Sequence, residues 1–284
     1  MAVALNLILS GLGWSAILFT IASGLSLVFG IMGVINFAHG ALYMLGCYVL
    51  ISAAGYLGFW GAIPLSIGII LLFGVLLEIF IFRPIYKRPV EFQLLLTFGL
   101  VIALEDSAKM IWGLTSRSIG VPAPFQGNVS ILGKEFPEYY LLVILVGALV
   151  AYAIRWFMGN TKFGKIMRAT SSNNQMAQAV GINIKVLYTG VFALGAGLAA
   201  FGGCLAAPLY SAYPELGSAM IITAFIVVVI GHMGSLEGAL LGSLIIGMLQ
   251  TVLTFFFPRF GTVATFAIAS VLLIFRPSGL LTEK

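Results

Sequence analysis

The chain has 284 residues, 61% of them hydrophobic and only 8% charged, with 34 glycines and a net charge of +5. An ordinary soluble domain is about 25% charged, so a soluble fold of this length could not cover its surface, and a disordered chain is excluded by the same hydrophobicity. Apolar runs of about 20 residues, the length that crosses hydrocarbon at 1.5 Å per residue, point to transmembrane helices rather than to the alternating strands of a membrane barrel.

In chain order, residues 1–77 contain no Asp, Glu, Lys or Arg and hold three expected spans, near 5–29, 36–57 and 61–82. The N-terminus lacks a basic n-region, so the first segment is expected to be retained as a span rather than cleaved. Gly24, Gly30 and Gly33 interrupt a nearly continuous run, and a broken or re-entrant early helix stands there beside a plain loop. The connector Arg83-Pro84-Ile85-Tyr86-Lys87-Arg88-Pro89 carries two helix-stopping prolines. A fourth span covers about 92–113 and carries Glu105, Asp106 and Lys109 near its end. Residues 114–137, polar and rich in Pro and Gly, read as an external loop before a fifth span at about 138–158. A long basic connector at about 159–186 follows, with Lys162, Lys165, Arg168 and Lys185 and no acid. Four more apolar runs lie near 187–208, 218–232, 238–257 and 261–275.

The fold class is therefore an all-α polytopic bundle of about nine spans, with eight or ten allowed by the soft early boundary. Placing the 83–91, 155–185 and 276–284 connectors on one side gathers ten of the fourteen basic residues there. The positive-inside rule makes that side cytoplasmic, with the N-terminus outside and the C-terminus inside. The positive charge is thus membrane-flanking, and no nucleic-acid partner is expected. Cys47 and Cys204 sit in apolar runs and read as small hydrophobes. A weak echo links Gly30-Ile-Met-Gly33 before His39-Gly40-Ala41-Leu42 to Gly231-His-Met-Gly234 before Glu237-Gly238-Ala239-Leu240. Duplicated halves and chance matches in biased sequence both produce such echoes.

Gly234, Gly238 and Gly242 recur at four-residue spacing, as do Gly195, Ala199, Gly203 and Ala207. In lipid such stripes let helix backbones approach closely, which reads as bundle packing. From Lys165 to Val180 there is no Gly or Pro, and Ile166, Ala169, Asn173, Met176/Ala177 and Val180 recur along one face. This predicts a short amphipathic helix outside the hydrocarbon, closed by Gly181 as a left-handed cap. It reads either as a solvated or interfacial helix or as an element that docks a cytoplasmic partner. Gly159-Asn-Thr-Lys-Phe-Gly-Lys165 matches the opening of a phosphate-binding loop, but Ile166 stands where a Ser or Thr hydroxyl must hold magnesium, and a span rather than a sheet strand precedes it. Nucleotide binding by this chain is rejected on that ground, and no cofactor is expected in it.

Within the spans, Asn36 and His39 lie three apart in the glycine-rich region. They either line a substrate path or bond helix backbones. Glu78 lies one turn from Arg83 and is expected to reach the interface. Glu105 and Asp106 either attract a cationic group or, as the preferred reading, face external water. No Cys/His cluster has metal spacing, and a Ser-His-Asp set cannot be assembled from the single aspartate, so no enzyme site is expected.

These residues carry a family likeness. Gly24-Leu-Ser-Leu-Val-Phe-Gly30 followed by Ile35-Asn36-Phe37-Ala38-His39-Gly40 resembles the N-terminal signature of the permease subunits of branched-chain amino-acid ABC importers of the LivH type. Thr97-Phe98-Gly99-Leu100, Leu104-Glu105-Asp106 and Trp112-Gly113 are similar to its fourth-span pattern. Gly164, Arg168-Ala169, Ala177 and Gly181-Ile182-Asn183 match its coupling segment, and Gly231 to Gly234-Ser235 with Gly238-Ala239 its late glycine-rich segment. The resemblance implies a single permease domain over residues 1–284 in a bacterial-type inner membrane. Its implied partners are a second permease (an M-type chain or a second copy), two cytoplasmic ATPases that bind the ATP and magnesium, and a periplasmic binding protein. It also implies that Gly164, Arg168, Ala169, Asn173, Ala177, Gly181 and Ile182 dock an ATPase, and the pathway is then expected to be lined by Asn36, His39, Gly40 and Glu105. The family often has an acidic residue where this chain has Asn173, and it also handles urea, short amides and aromatic acids. A stand-alone carrier or channel is the rival reading, and it would need the buried ion-binding carboxylates in which this chain is poor.

Overall fold

The computed structural model describes residues 2–86, 88–131 and 134–275. Its helices in chain order are α1 (Ala2–Met32), α2 (His39–Leu77), α3 (Val90–Trp112), α4 (Glu138–Asn160), α5 (Lys162–Ser172), α6 (Asn174–Ala179), α7 (Ile184–Ala206), α8 (Leu216–Gly231), α9 (Leu236–Phe256) and α10 (Gly261–Phe275). Among the described residues, five helical stretches are long and apolar enough to cross a membrane: Val3–Met32, His39–Ile85, Glu138–Asn160, Ile184–Ala206 and Leu236–Phe256. Leu216–Gly231 and Gly261–Ile274 are apolar but shorter.

The expected second and third spans form one helical stretch with a break. Gly58 adopts φ 67° and ψ 169° within α2, a conformation open to a residue without Cβ, and the chain turns there between the two halves. Beyond Leu77 the helix widens into a π-helical turn over Glu78–Phe82 and then tightens into a 3-10 turn over Arg83–Ile85. The basic connector therefore begins as a continuation of the helix. The fold is not wholly helical: strands β1 (Asn128–Ile131) and β2 (Lys134–Pro137) pair antiparallel in the expected loop, with Val129 opposite Phe136 and Ser130 opposite Glu135. A loop composition rich in Pro and Gly conceals so short a hairpin, because its strands have no periodic run to reveal them. The 276–284 connector, with its two basic residues, lies outside the described residues.

The core is α1, α2 and α7, joined by α8 and α9. Apolar burial cannot by itself hold helices together in lipid, since the tails are as apolar as the side chains, so close backbone packing takes its place. Gly24 faces Gly195 across α1 and α7, Gly46 faces Ala200 across α2 and α7, and a Cβ on Gly203 would run into the Tyr43 carbonyl. Across α8 and α9, a Cβ on Gly238 would strike the Gly231 carbonyl and one on Gly242 the Val227 carbonyl. Gly234 lies against Gly30 at the end of α1. Thus the glycine stripes mark the faces where helices touch.

Candidate functional site

Two places hold the residues singled out in the sequence. The first is inside the bundle. The chain leaves α1 at Met32, and residues 33–38 are unwound yet largely buried, with Val34, Asn36 and Ala38 inside. His39 then opens α2, and its Nε2–H donates to the Ile21 carbonyl at 3.0 Å. Ile21 lies eleven residues before Met32, about 16 Å along α1 at 1.5 Å per residue, so α2 starts well within the bundle. This hydrogen bond is the backbone-bonding reading of His39. Asn36 differs: it is buried, and neither its Oδ1 nor its Nδ2 has a partner, as is also true of His39 Nδ1. Buried amides are nearly always satisfied, so an orphan in an unwound interior stretch marks a place able to take a polar ligand.

Gly40 packs on the Gly217 carbonyl and Ile221 at the start of α8. One residue further along, Glu105 of α3 accepts from the Ser218 backbone N–H at 3.0 Å and from its hydroxyl at 2.6 Å. The expectation that Glu105 faces external water is corrected: it is buried and satisfies the first turn of α8. Asp106 is the exposed member of the pair, 62% open, and pairs with Lys109, which also reaches Glu215. Adjacent acids on a helix point about 100° apart, so burial divides them, and the sequence could not tell which faced in. Phe37 stacks on Phe98 at 4.5 Å and lies near Phe225 at 5.5 Å, tying the unwound stretch to α3 and α8. Gly40 and Glu105 therefore meet the same end of α8, while Asn36 lies on the unwound segment leading into α2 and His39 opens that helix. Ser218 is the member of this cluster that sequence reasoning missed, since a serine in an apolar run carries no signal of its partner.

The second place is at the N-terminal end of α7. The predicted single amphipathic helix is two: α5 ends at Ser172 and α6 begins at Asn174. Asn173 breaks them with φ −154° and ψ 98°, and its side chain caps α6 by accepting the Met176 N–H at 2.9 Å. Asparagine competes with helical hydrogen bonds in this way, which is why it favours caps over interiors. The face turned to the bundle is not the apolar stripe read from the spacing. Gly164, Met167 and Thr170 are buried, Gly164 lying so close to Phe157 and Met158 that a side chain would not fit. Along that stripe only Ala177 is buried, Ile166 is half-buried, and Ala169 and Asn173 are exposed together with Met176 (61%) and Val180 (71%). Arg168 is exposed, with its guanidinium 3.4 Å from the Gly159 carbonyl. Gly181 takes φ 91° and closes α6. The Ile182 N–H bonds the Ala177 carbonyl and the Gly181 N–H bonds that of Gln178, both at 3.0 Å, the paired bonds of a Schellman cap.

Beneath this pair lies a carboxylate. Glu78 is not turned out to solvent: its side chain is 0% exposed and Arg83, 31% exposed, reaches inward to it. Oε1 accepts from Arg83 Nε at 3.2 Å and from the Tyr86 hydroxyl at 2.7 Å. Oε2 accepts from Arg83 Nη2 and from the Thr189 hydroxyl, each at 2.7 Å. Burial, and then the bond to Glu78, raise the Tyr86 phenol well above its ordinary range, so it remains a donor.

An apolar bundle packed through glycines, entered by an unwound buried stretch and carrying an amphipathic helix pair at one end, defines a polytopic membrane permease. The chain belongs to the family described as the permease component of the branched-chain amino acid transport system, whose model matches residues 7–276. It is 30% identical over 278 residues to the high-affinity branched-chain amino acid transport system permease protein BraD of Pseudomonas aeruginosa, covering 92% of this chain and 90% of that protein. It is 30% identical over 282 residues to the corresponding permease protein LivH of Escherichia coli (strain K12), with the same coverage of 92% and 90%. A probable LivH of Methanocaldococcus jannaschii is 25% identical over 263 residues, covering 88% of this chain and 81% of that one. Among solved structures, PsaBC from Streptococcus pneumoniae in complex with Fab is similar at a TM-score of 0.47 and 18% identity, over 93% of this chain and 89% of that chain.

Proposed function

We propose that this chain is the membrane-spanning permease of an ATP-binding-cassette importer that carries branched-chain amino acids or a related small polar solute across the inner membrane. Family membership supports the class of protein, and the names of the 30%-identical relatives support the solute. The observation that carries the coupling is α5–α6, an amphipathic pair whose exposed side bears Arg168, Met176 and Val180 while its inner side is locked to the bundle. In this reading it docks a cytoplasmic ATPase, which binds the ATP and magnesium. A second permease, of M-type or a copy of this chain, completes the pathway, and a periplasmic binding protein delivers the solute. The whole chain acts as one permease domain of nine spans, the Gly58 break counting as a turn between two of them, with the N-terminus outside and the C-terminus in the cytoplasm.

Asn36, His39, Gly40 and Glu105 are assigned to the pathway, with the unpartnered Asn36 amide as the group that meets solute. Motion follows from differential affinity, because the ATP-bound dimer prefers one permease state and so shifts the population. The experiment is co-purification and transport. ATPase subunits should co-purify with the chain, and a permease carrying both Arg168→Ala and Ala177→Trp should lose ATP-driven uptake. Normal uptake by that double variant would remove the docking assignment.

A further inference from the structure

We propose that a polar chain running Asn174–Tyr188–Tyr86–Glu78–Arg83–Thr189 is the relay that transmits movement of α6 into the lower end of α2, with Glu78 as its central positioning residue. The proposal rests on the reading of α5–α6 as the ATPase-docking pair. It begins where α6 meets α7: Asn174 Nδ2 donates to the Tyr188 hydroxyl at 2.8 Å. Asn174 is itself held, since its Oδ1 accepts from Gln178 Nε2 at 2.9 Å. The Tyr188 ring meets the Tyr86 ring edge to face, with centroids 5.2 Å apart at 87°. Tyr86, Arg83 and Thr189 then converge on the Glu78 carboxylate, and Arg83 Nη2 also lies 2.7 Å from the Thr189 hydroxyl. Because Thr189 is on α7 and Glu78 on the continuation of α2, the carboxylate clamps two elements of the core together.

Three features favour a moving part over a simple staple. A buried carboxylate held by a part-exposed arginine is a poor way to add stability, because taking the charge out of water costs much of what the pairing returns and hydrophobic side chains of similar volume often serve as well or better. Buried ionisable groups inside spans are costly and are functional candidates by default. The clamp also sits on the π-helical turn Glu78–Phe82, which is followed directly by a 3-10 turn. Such departures in helical pitch recur at functional sites and hinges. The pair α5–α6 is built to feed this turn unevenly. Its outer helix is tied to a different element, with the Ser171 hydroxyl donating to the Gly30 carbonyl of α1 at 2.7 Å, and the two are separated by the extended Asn173. Movement of α6 therefore reaches α7 and α2, while movement of α5 reaches α1 beside the unwound 33–38 stretch.

The test uses the complete transporter in proteoliposomes, reading ATP hydrolysed per leucine molecule taken up. Tyr188→Phe deletes only the hydroxyl that Asn174 engages, and Glu78→Gln keeps the shape and removes the ion pair. Each should raise the ATP cost per molecule about tenfold, within the usual range of coupling between sites, while the amount of assembled complex stays at the wild-type level. The double variant should be no worse than the more severe single one, as for groups in one chain. A further variant, Glu78→Leu with Arg83→Met, replaces the ion pair by apolar groups: the relay requires a well-assembled but uncoupled complex. Normal coupling in that variant, or effects of Tyr188→Phe and Glu78→Gln that simply multiply, would overturn the relay and leave the docking assignment intact. Failure of the wild-type chain to retain any ATPase would overturn the docking assignment and the relay with it.

Discussion

Gly238 and Gly231 approach so closely that either Cβ would enter the other's backbone. Gly238→Val should therefore force α8 and α9 apart at a cost of about 1–3 kcal/mol, the usual range for overpacking, seen as a lower unfolding temperature of the purified protein. Gly197 has only ordinary contacts at 3.7 Å to Ile67 and Leu71, and because alanine favours a helix interior over glycine, Gly197→Ala should not lower that temperature. Gly181 stands at φ 91°, where a β-branched residue is strained by about 1–3 kcal/mol; Gly181→Val should speed amide exchange at Ile182 and through α6. The glycine stripes and the Gly181 cap were legible because spacing and residue type are local properties. The partner of Glu105 was not legible. It is Ser218, more than a hundred residues away, and nothing local says which of two neighbouring acids turns inward.

At the scale of elements, the helix pair α5–α6 separates what periodicity can and cannot supply. Amphipathic spacing found the segment and its end, yet it smoothed over Asn173, whose side chain makes the cap that divides it. It also did not say which face was free, because Gly164 and Met167 bind the bundle through contacts with α4 and the core rather than through a hydrophobic stripe. The exposed apolar side chains Met176 and Val180 give the docking reading a direct check. Met176→Cys and Val180→Cys should react with a membrane-impermeant maleimide in the isolated permease and be protected in the complete transporter. Met167→Cys, wholly buried, should stay unlabelled in both. Equal labelling of Met176→Cys and Val180→Cys with and without the ATPase would place the docking surface elsewhere. The native Cys47 and Cys204 are buried and give little background.

At the scale of the molecule, composition pointed to the membrane, apolar runs located the five helical stretches long enough to cross it among the described residues, and the basic residues suggest an orientation. The tertiary arrangement was beyond them. That α2 opens deep in the bundle, with His39 against Ile21, follows from the unwound 33–38 stretch, which glycine content flagged as a break without saying where it led. The orientation predicts that a cysteine at Ser130, in the hairpin, is labelled from outside intact cells, while one at Lys162 is labelled only after the membrane is opened. The most direct test of the whole account is uptake of labelled leucine by proteoliposomes holding this chain with its partner permease, ATPases and binding protein. The account predicts uptake that requires ATP and binding protein together and falls to background when Arg168→Ala and Ala177→Trp are combined. Uptake by this chain alone, driven by an ion gradient and indifferent to ATP, would contradict it.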